Sequence, residues 1–578
     1  LNQQSRTIVF IVTSMVVLGT WMYFMPTPSQ TPAPAAEPVA VSNLSPSESA
    51  KFSAKEAKAE KSSAKAIAAV HVASNIPAST TTIETDDYVA TFSNKGAVLT
   101  GFRLKKYENR ATHQPIDLVN PDETHPKPFS ISYGPMPDLN QKMFQVEGSS
   151  KTITGKEHAQ LVFRTVDANG TVLEKTFGFN NDSYLIQFAA KVSQTGHGSV
   201  PTSNLTVEWA DTLGVEENTG TQSRSGGYRV ATLAAGHSPS SETEKSSKES
   251  VEIPGPITWT ALANQFFVAA MVPDATSGGN SVKVVRDYNA YAAATVGNDT
   301  PAVNANKFAP RPLLNFDAPS LRSGESFERK LQVFFGPQDY EILKKQGLQL
   351  ESVVDFGFFG FLSVYMLELL KWGFTWAHNW GLAIILLSIV VKLILWIPTH
   401  NSYKSMYLMQ QKMKEIQPKL EALKRKYPDD KQKQQQEQMA IYNQAGVNPM
   451  SGCLPLLLQM PVFWALYATL GHSIELRGAN FLWLHDLSLK DPFYVFPLLM
   501  GSTMLLQQKV SGQMANQAAG QQKVMLWLMP GLLTFMSFQW PSGLLVYWVT
   551  TNVLSMIQQK IVNREIKNTQ KKDEGMKS

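Results

Sequence analysis

Hydrophobic positions divide this chain into two regimes, with polar, Gly- and Pro-punctuated sequence before about residue 350 and long apolar runs after it. One early run, residues 8–24, stands apart and follows a short polar segment whose only charge is Arg6. It reads as a membrane anchor over residues 1–25 in preference to a cleaved signal, because the nearest small-x-small site, Ala33-Pro-Ala35, lies well beyond the run and contains proline. The first residue is leucine, which fits either an alternative start codon or a trimmed end. Residues 26–79 are rich in Pro, Ala, Ser and Lys and hold too few large apolar side chains for a core, so a disordered linker is expected.

From residue 80 to 337 the pattern becomes period-two alternation broken by turn signals. Tyr88-Val-Ala-Thr-Phe92 is one such run; Leu161-Val-Phe-Arg-Thr-Val166, Ala168-Asn-Gly170 and Thr171-Val-Leu-Glu-Lys-Thr-Phe177 together predict a β-hairpin. Further strand-like runs at 183–192, 205–209 and 326–335 predict a large all-β sandwich, with 238–250 as a surface loop. Residues 338–379 read as connecting helices. Within them 358–378 is bulky and apolar but carries Glu368 and Lys371 one turn apart, so it is expected to lie in a membrane interface rather than to cross.

Five runs of membrane-spanning length follow, at 380–398, 453–471, 492–510, 522–540 and 542–562. Between them Lys and Arg number nine in 399–452, two in 472–491, two in 509–523, none in 539–542 and six in 557–578. With Arg6 that places eighteen positive residues on one side and two on the other, which predicts six spans with both termini cytoplasmic and the β domain periplasmic. Residues 399–450 form a basic cytoplasmic helical hairpin in this reading. Met406, Met409, Met413, Ile416, Leu420 and Leu423 share one helical seam, Pro418 predicts a kink, and Pro428-Asp-Asp430 separates the two helices. Residues 451–562 then hold the third to sixth spans, and 563–578 form a basic tail.

Composition adds exclusions. A formal charge of +5 over 578 residues is too small for general nucleic-acid binding, and a mean hydropathy of −0.15 averages over two unlike halves. A single cysteine, Cys453, rules out an intrachain disulfide and a Cys-based metal cluster; it reads as a packed small hydrophobe. The run Gly148-Ser-Ser-Lys-Thr-Ile-Thr-Gly-Lys156 has the wrong glycine spacing for a phosphate loop and is expected to be a turn between strands. The ten histidines include no His-Glu-x-x-His pair, and no Gly-x-Ser-x-Gly elbow occurs. No catalytic constellation and no cofactor are expected.

The membrane half carries polarity without acid, since no Asp or Glu lies within the five runs. That weighs against the principal rival reading, a secondary transporter or channel using the same polar cavity, in its ion-coupled form. Its uncharged polar residues include Ser388, Gln459, Thr503, Gln507, Thr551, Asn552 and Ser555. Tyr547, Thr551, Ser555 and Gln558 recur on one helical face, as do Thr503 and Gln507. Each alone reads as an interhelical hydrogen-bonding group, whereas together with a cation they describe a wet cavity. The cation is Lys392, set among Ile, Leu and Val; a charge at that depth costs about 2.5–3.5 kcal/mol. It either snorkels past Pro398, about 9 Å along a helix, or has work to do.

Val447-Asn-Pro-Met-Ser-Gly-Cys-Leu-Pro-Leu-Leu-Leu-Gln-Met-Pro-Val-Phe463, Leu484-His-Asp-Leu-Ser-Leu-Lys-Asp-Pro492 and Trp540-Pro-Ser-Gly-Leu-Leu-Val-Tyr547 resemble the YidC/Oxa1/Alb3 membrane protein insertases. The anchor, linker, β domain and Phe334-Phe-Gly-Pro-Gln-Asp-Tyr340 are similar to the Gram-negative YidC arrangement. The resemblance implies a five-helix transmembrane core around a hydrophilic groove, in a chaperone and insertase of the bacterial inner membrane. It further implies nascent membrane proteins, the Sec translocon, the ribosome with its targeting machinery, and the lipid bilayer as partners. The family's groove arginine aligns with Lys392, which keeps the charge but loses the planar fork that grips a carboxylate. Phe463, Tyr547 and Trp548 would guide an apolar segment toward lipid; Lys412, Lys414, Lys424, Arg425 and Lys426 would make the hairpin contacts, with help from Lys567, Lys571 and Lys572 of the tail.

Overall fold

The computed structural model describes residues 76–110, 112–119, 126–209, 213–214, 228–237, 239–243, 250–285, 310–428, 430–446, 454–511 and 521–575. The anchor expected at 1–25, nearly all of the linker and the stretch 447–453 lie outside the described residues. The chain divides into two compact units, one ending at Val354 and the other resuming at Asp355.

The first unit is a β-sandwich. Among the described residues one sheet has five strands, with Tyr88–Ser93 between Thr80–Glu84 and Val98–Glu108; the other has thirteen, with Leu185–Gln194 between Thr171–Asn180 and Ser326–Pro337. Along strands such as Tyr88–Ser93 and His158–Val166 alternate residues face inward, and the two sheets meet through aromatic rings. Phe92 of the small sheet lies 4.7 Å from Phe177 of the large one, and Phe102 lies 4.5 Å from Phe335, centroid to centroid.

The hairpin expected at 161–177 forms, from strands His158–Val166 and Thr171–Asn180, with Val166 opposite Val172. Its turn is held by the Asp167 carboxylate, which accepts from the Asn169 and Thr171 amides at 2.9 and 2.7 Å. Gly170 adopts φ +76°, which a Cβ would oppose.

Two expectations need correction. The stretch 238–250 is not all loop, since Ser240–Thr243 is a strand paired with Arg229–Ala234. The stretch 148–156 is not simply a turn, because Lys151–Thr152 pairs in parallel with Thr80–Glu84. A short helix, α1 (Tyr340–Gln346), closes this unit, capped by the Asp339 carboxylate accepting from the Ile342 amide at 2.9 Å.

The second unit is helical. Its described helices are α2 (Gly360–Ala377), α3 (Trp380–Ile394), α4 (Trp396–Lys426), α5 (Lys431–Gln444), α6 (Leu454–His472), α7 (Val495–Val510), α8 (Gln521–Ser537) and α9 (Ser542–Gly575). Leu370, Leu387, Leu466, Met500 and Leu545 are buried in its apolar core. Small residues permit close approach: a Cβ at Gly381 would strike the Phe481 ring, and one at Gly501 would strike Thr534.

The run expected to span at 380–398 breaks at Leu395. Pro398 lacks an N–H and its ring crowds the carbonyl four residues back, at Ile394, which disfavours a straight helix through that turn. The chain bends there by 68° and resumes with Pro398 in the first turn of α4. No single described helix is long and apolar enough to cross a membrane alone; Trp380–Ile394 and Trp396–Leu423 pass that test only as a bent pair. The expected runs at 492–510 and 522–540 are helices of 16 and 17 residues. By contrast α9 continues for 34 residues, well past the expected end at 562.

The seam expected along α4 serves two partners. Met406 packs with Tyr403 against Val562 and Ile566 of α9, whereas Ile416 and Leu420 pack with Tyr442 of α5. The helix is unbroken through Pro418.

Candidate functional site

The polar residues of the helical unit converge on α9. Four rungs leave it for four different helices. Tyr547 accepts a hydrogen bond on its hydroxyl from the Gln459 amide of α6 at 3.0 Å, and Asn552 donates to the Thr503 hydroxyl of α7 at 2.9 Å. Ser555 accepts from the Lys392 ammonium of α3 at 2.9 Å. Gln558 donates to Thr399 Oγ1 and to the Trp396 carbonyl of α4, at 3.0 and 3.1 Å. Helical spacing puts Tyr547, Ser555 and Gln558 on one face of α9, while Asn552 points to the side, toward α7. An amide or hydroxyl on an otherwise apolar helix gains by finding a partner, and each rung satisfies a pair of groups at once.

Lys392 is the one charge in this ladder. Only 4% of its surface is exposed, and its stem is turned toward α9. The ammonium has three N–H donors, of which one is spent on Ser555; it also sits 5.5 Å from the centroid of the Tyr403 ring. Among the described residues no carboxylate pairs with it.

The remaining expected residues divide. Ser388, one turn from Lys392, donates instead to the Ile384 carbonyl of its own helix at 2.7 Å. Thr551 likewise donates to the carbonyls of Tyr547 and Trp548. Gln507 is half-buried and makes no side-chain hydrogen bond among the described residues. Phe463 is buried, with its ring 5.0 Å from the half-buried Trp548 in an edge-to-face arrangement, and Tyr547 is buried beside them. Along α4, Lys412, Lys414, Arg425 and Lys426 are exposed; Lys412 reaches the Gly446 carbonyl at 3.5 Å and Lys426 lies over the Tyr427 ring. The Lys424, Lys571 and Lys572 side chains lie outside the described residues, while Lys567 is exposed.

Three participants escape a reading of the sequence: Thr399, Tyr403 and the bend that places them. Thr399 and Tyr403 fall beyond the apolar run, so neither belongs to a span by hydropathy. Their only signal is Pro398, whose steric effect acts four residues upstream of itself.

α2 adds a surface feature. Phe361, Tyr365, Trp372 and Trp376 form an exposed aromatic stripe, with exposed Glu368 among them, opposite buried Met366, Leu367 and Leu370. Lys371 turns aside to pair with Glu475 at 2.8 Å.

These features describe a helical unit with a buried cation that no carboxylate pairs among the described residues, at its polar centre, in one chain with a β-sandwich. Comparison with known proteins gives that combination a family. Residues 372–571 match the model described as 60Kd inner membrane protein, and residues 80–369 match the YidC periplasmic domain. The membrane protein insertase YidC of Geotalea daltonii is 33% identical over 569 residues, covering 97% of this chain and 99% of that one. Its counterpart from Geobacter sp. strain M21 is 33% identical over 491 residues, covering 84% and 85%. Among solved structures, an active YidC insertase with its first transmembrane domain resolved aligns over 82% of this chain and 90% of its own, at 16% identity and a TM-score of 0.33. A galactose mutarotase related enzyme from Lactobacillus acidophilus aligns over 44% of this chain and 97% of its own, at 9% identity and a TM-score of 0.31. The chain belongs to the YidC family of membrane protein insertases. It is an inner membrane protein with a periplasmic domain, and its function is the insertion of proteins into the membrane.

Proposed function

We propose that insertion runs through a hydrophilic half-channel in the helical unit, with Lys392 as its positive centre. The observation that carries this reading is the incomplete partnering of a buried cation. Lys392 has spent one of its three donors and has no counter-charge among the described residues, so an acidic group arriving from a substrate gains both attraction and hydrogen bonds there.

The energetic problem for a substrate is its translocated polar flank. Its apolar helix is favoured in lipid, but each unsatisfied polar group of the flank costs several kcal/mol in hydrocarbon. The rungs on α9 offer partners partway. Interhelical bonds of this kind are worth about 0.6 kcal/mol on average, so a flank exchanges with the Gln459–Tyr547 or Thr503–Asn552 pair at small cost. Phe463, Tyr547 and Trp548 then offer the apolar segment a passage toward lipid. No covalent step and no nucleotide is required.

The chain crosses the inner membrane six times in this scheme, with both termini and the α4–α5 hairpin cytoplasmic. The eighteen-to-two split of Lys and Arg supports that orientation. The exposed aromatic stripe of α2 supports its lying in the interface. Lys412, Lys414, Lys424, Arg425 and Lys426 receive the ribosome and targeting machinery, and the chain acts alone or with the Sec translocon.

A photo-crosslinking residue placed at Ser555 or Thr551 tests the pathway during translation of a single-span substrate. Crosslinks to the polar flank at intermediate chain lengths are expected. Crosslinks confined to probes on the exposed Phe361 and Trp376 positions, with none at Ser555 or Thr551, would overturn it.

A further inference from the structure

Lys392 lies on α3 and Tyr403 on α4, eleven residues apart, which on a straight helix is about 16 Å of rise. The bend at Leu395 brings them together, so that the ammonium rests 5.5 Å from the ring centroid. Tyr403 is buried and fixed in place, packing with Met406 against Val562 and Ile566 of α9. From the other side Ser555 of α9 accepts a hydrogen bond from the same ammonium at 2.9 Å.

From this arrangement we infer that Tyr403 is a positioning residue for the groove cation, its ring face seating the Lys392 ammonium against α9. The inference rests on the reading of Lys392 as the positive centre. A carboxylate in the same place would cancel the charge, whereas the negative face of an aromatic ring attracts an ammonium and leaves its full unit charge available. Lysine needs such a seat more than arginine does. Its charge sits at the end of four flexible methylenes and lacks the pre-organised planar fork, so its location must be fixed by what it rests on. Ser555 fixes one N–H direction and the ring fixes the side from which a substrate group can approach.

The test uses the full chain in vesicles of phosphatidylethanolamine and phosphatidylglycerol. Substrates are two versions of one single-span protein, with an acidic or a neutral translocated flank. Tyr403→Phe and Tyr403→Leu are each made alone and together with Lys392→Gln, and the ratio of acidic-flank to neutral-flank insertion is read. The ratio cancels general losses of folding or incorporation. Tyr403→Phe is expected to stay within about twofold of the parent, because the ring face survives, and Tyr403→Leu to lower the ratio about fivefold. With Lys392→Gln already present, Tyr403→Leu should leave the ratio unchanged.

Equal losses on both substrates, or a Phe variant as impaired as the Leu variant, would reduce Tyr403 to packing and overturn the inference while leaving Lys392 its role. A ratio untouched by Lys392→Gln alone would remove the positive-centre reading, and the positioning role would fall with it.

Discussion

Lys175 and Lys392 are both buried lysines, and their hydrogen bonds assign them different work. As an ammonium Lys175 donates to the carbonyls of Gly96, Ala97 and Phe129 at 2.7, 3.2 and 2.9 Å, so all three of its donors in that form are spent inside the β-sandwich. It ties the strand Thr171–Asn180 to two neighbouring segments and has nothing left to offer a ligand. Complete burial pushes its amine down to about 7, from an ordinary value of 10.5. Between those values the unfolded chain holds a proton that the folded one has released, so the unfolding free energy rises with pH from about 7 toward 10.5, by up to about 1.4 kcal/mol per unit. Hydrogen exchange of the 171–180 amides should therefore slow, relative to its intrinsic rate, between pH 7 and 9. Lys175→Met should abolish that dependence and destabilise the sandwich by about 2–4 kcal/mol, because three carbonyls lose their donor. Alternation along Thr171-Val-Leu-Glu-Lys-Thr-Phe177 puts Lys175 on the same face as Leu173 and Phe177, so its inward direction was legible. Its three acceptors were not, because they come from segments more than forty residues away.

Among the elements, α9 organises the helical unit and the α3–α4 bend brings Tyr403 to Lys392. Gln558 secures that bend, donating both to Thr399 and to the Trp396 carbonyl. Gln558→Leu should loosen the first turn of α4, raising exchange of the 399–403 amides about fivefold, the equivalent of about 1 kcal/mol. Unchanged exchange there would show that Pro398 alone dictates the bend. The aromatic stripe of α2 makes a separate prediction. An environment-sensitive fluorophore on Phe361→Cys, with Cys453→Ser, should be quenched by lipids brominated near the headgroup more than by those brominated at the acyl terminus. The reverse depth order would contradict an interfacial helix. Apolar run length located these helices well but placed the end of α3 wrongly, since hydropathy takes no account of a proline ring striking the carbonyl four residues before it. For the same reason the sequence showed Lys392, Ser555 and Gln558 as site residues or groove polarity, while Tyr403, beyond the run, stayed out of view.

At the scale of the whole molecule, alternation revealed strands such as His158–Val166 and Leu185–Gln194, whose two faces differ in exposure. Strands such as Phe267–Pro273, buried on both faces, escaped it because a continuous apolar run has no period to read. The division into a β-sandwich and a helical unit follows the shift in composition near residue 350. In the function proposed above selection is electrostatic: Lys392, buried and left without a counter-charge among the described residues, is proposed to select the substrates that enter. The most direct measurement is insertion of one single-span substrate, with an acidic or a neutral flank, by the reconstituted chain carrying Lys392, Lys392→Arg, Lys392→Ala or Lys392→Glu. Lys392→Arg should match the parent. Lys392→Ala should lower acidic-flank insertion about tenfold, the equivalent of about 1.4 kcal/mol, and Lys392→Glu further still, with the neutral flank held within about twofold throughout. Acidic-flank insertion by Lys392→Ala equal to that by Lys392→Arg would contradict the claim.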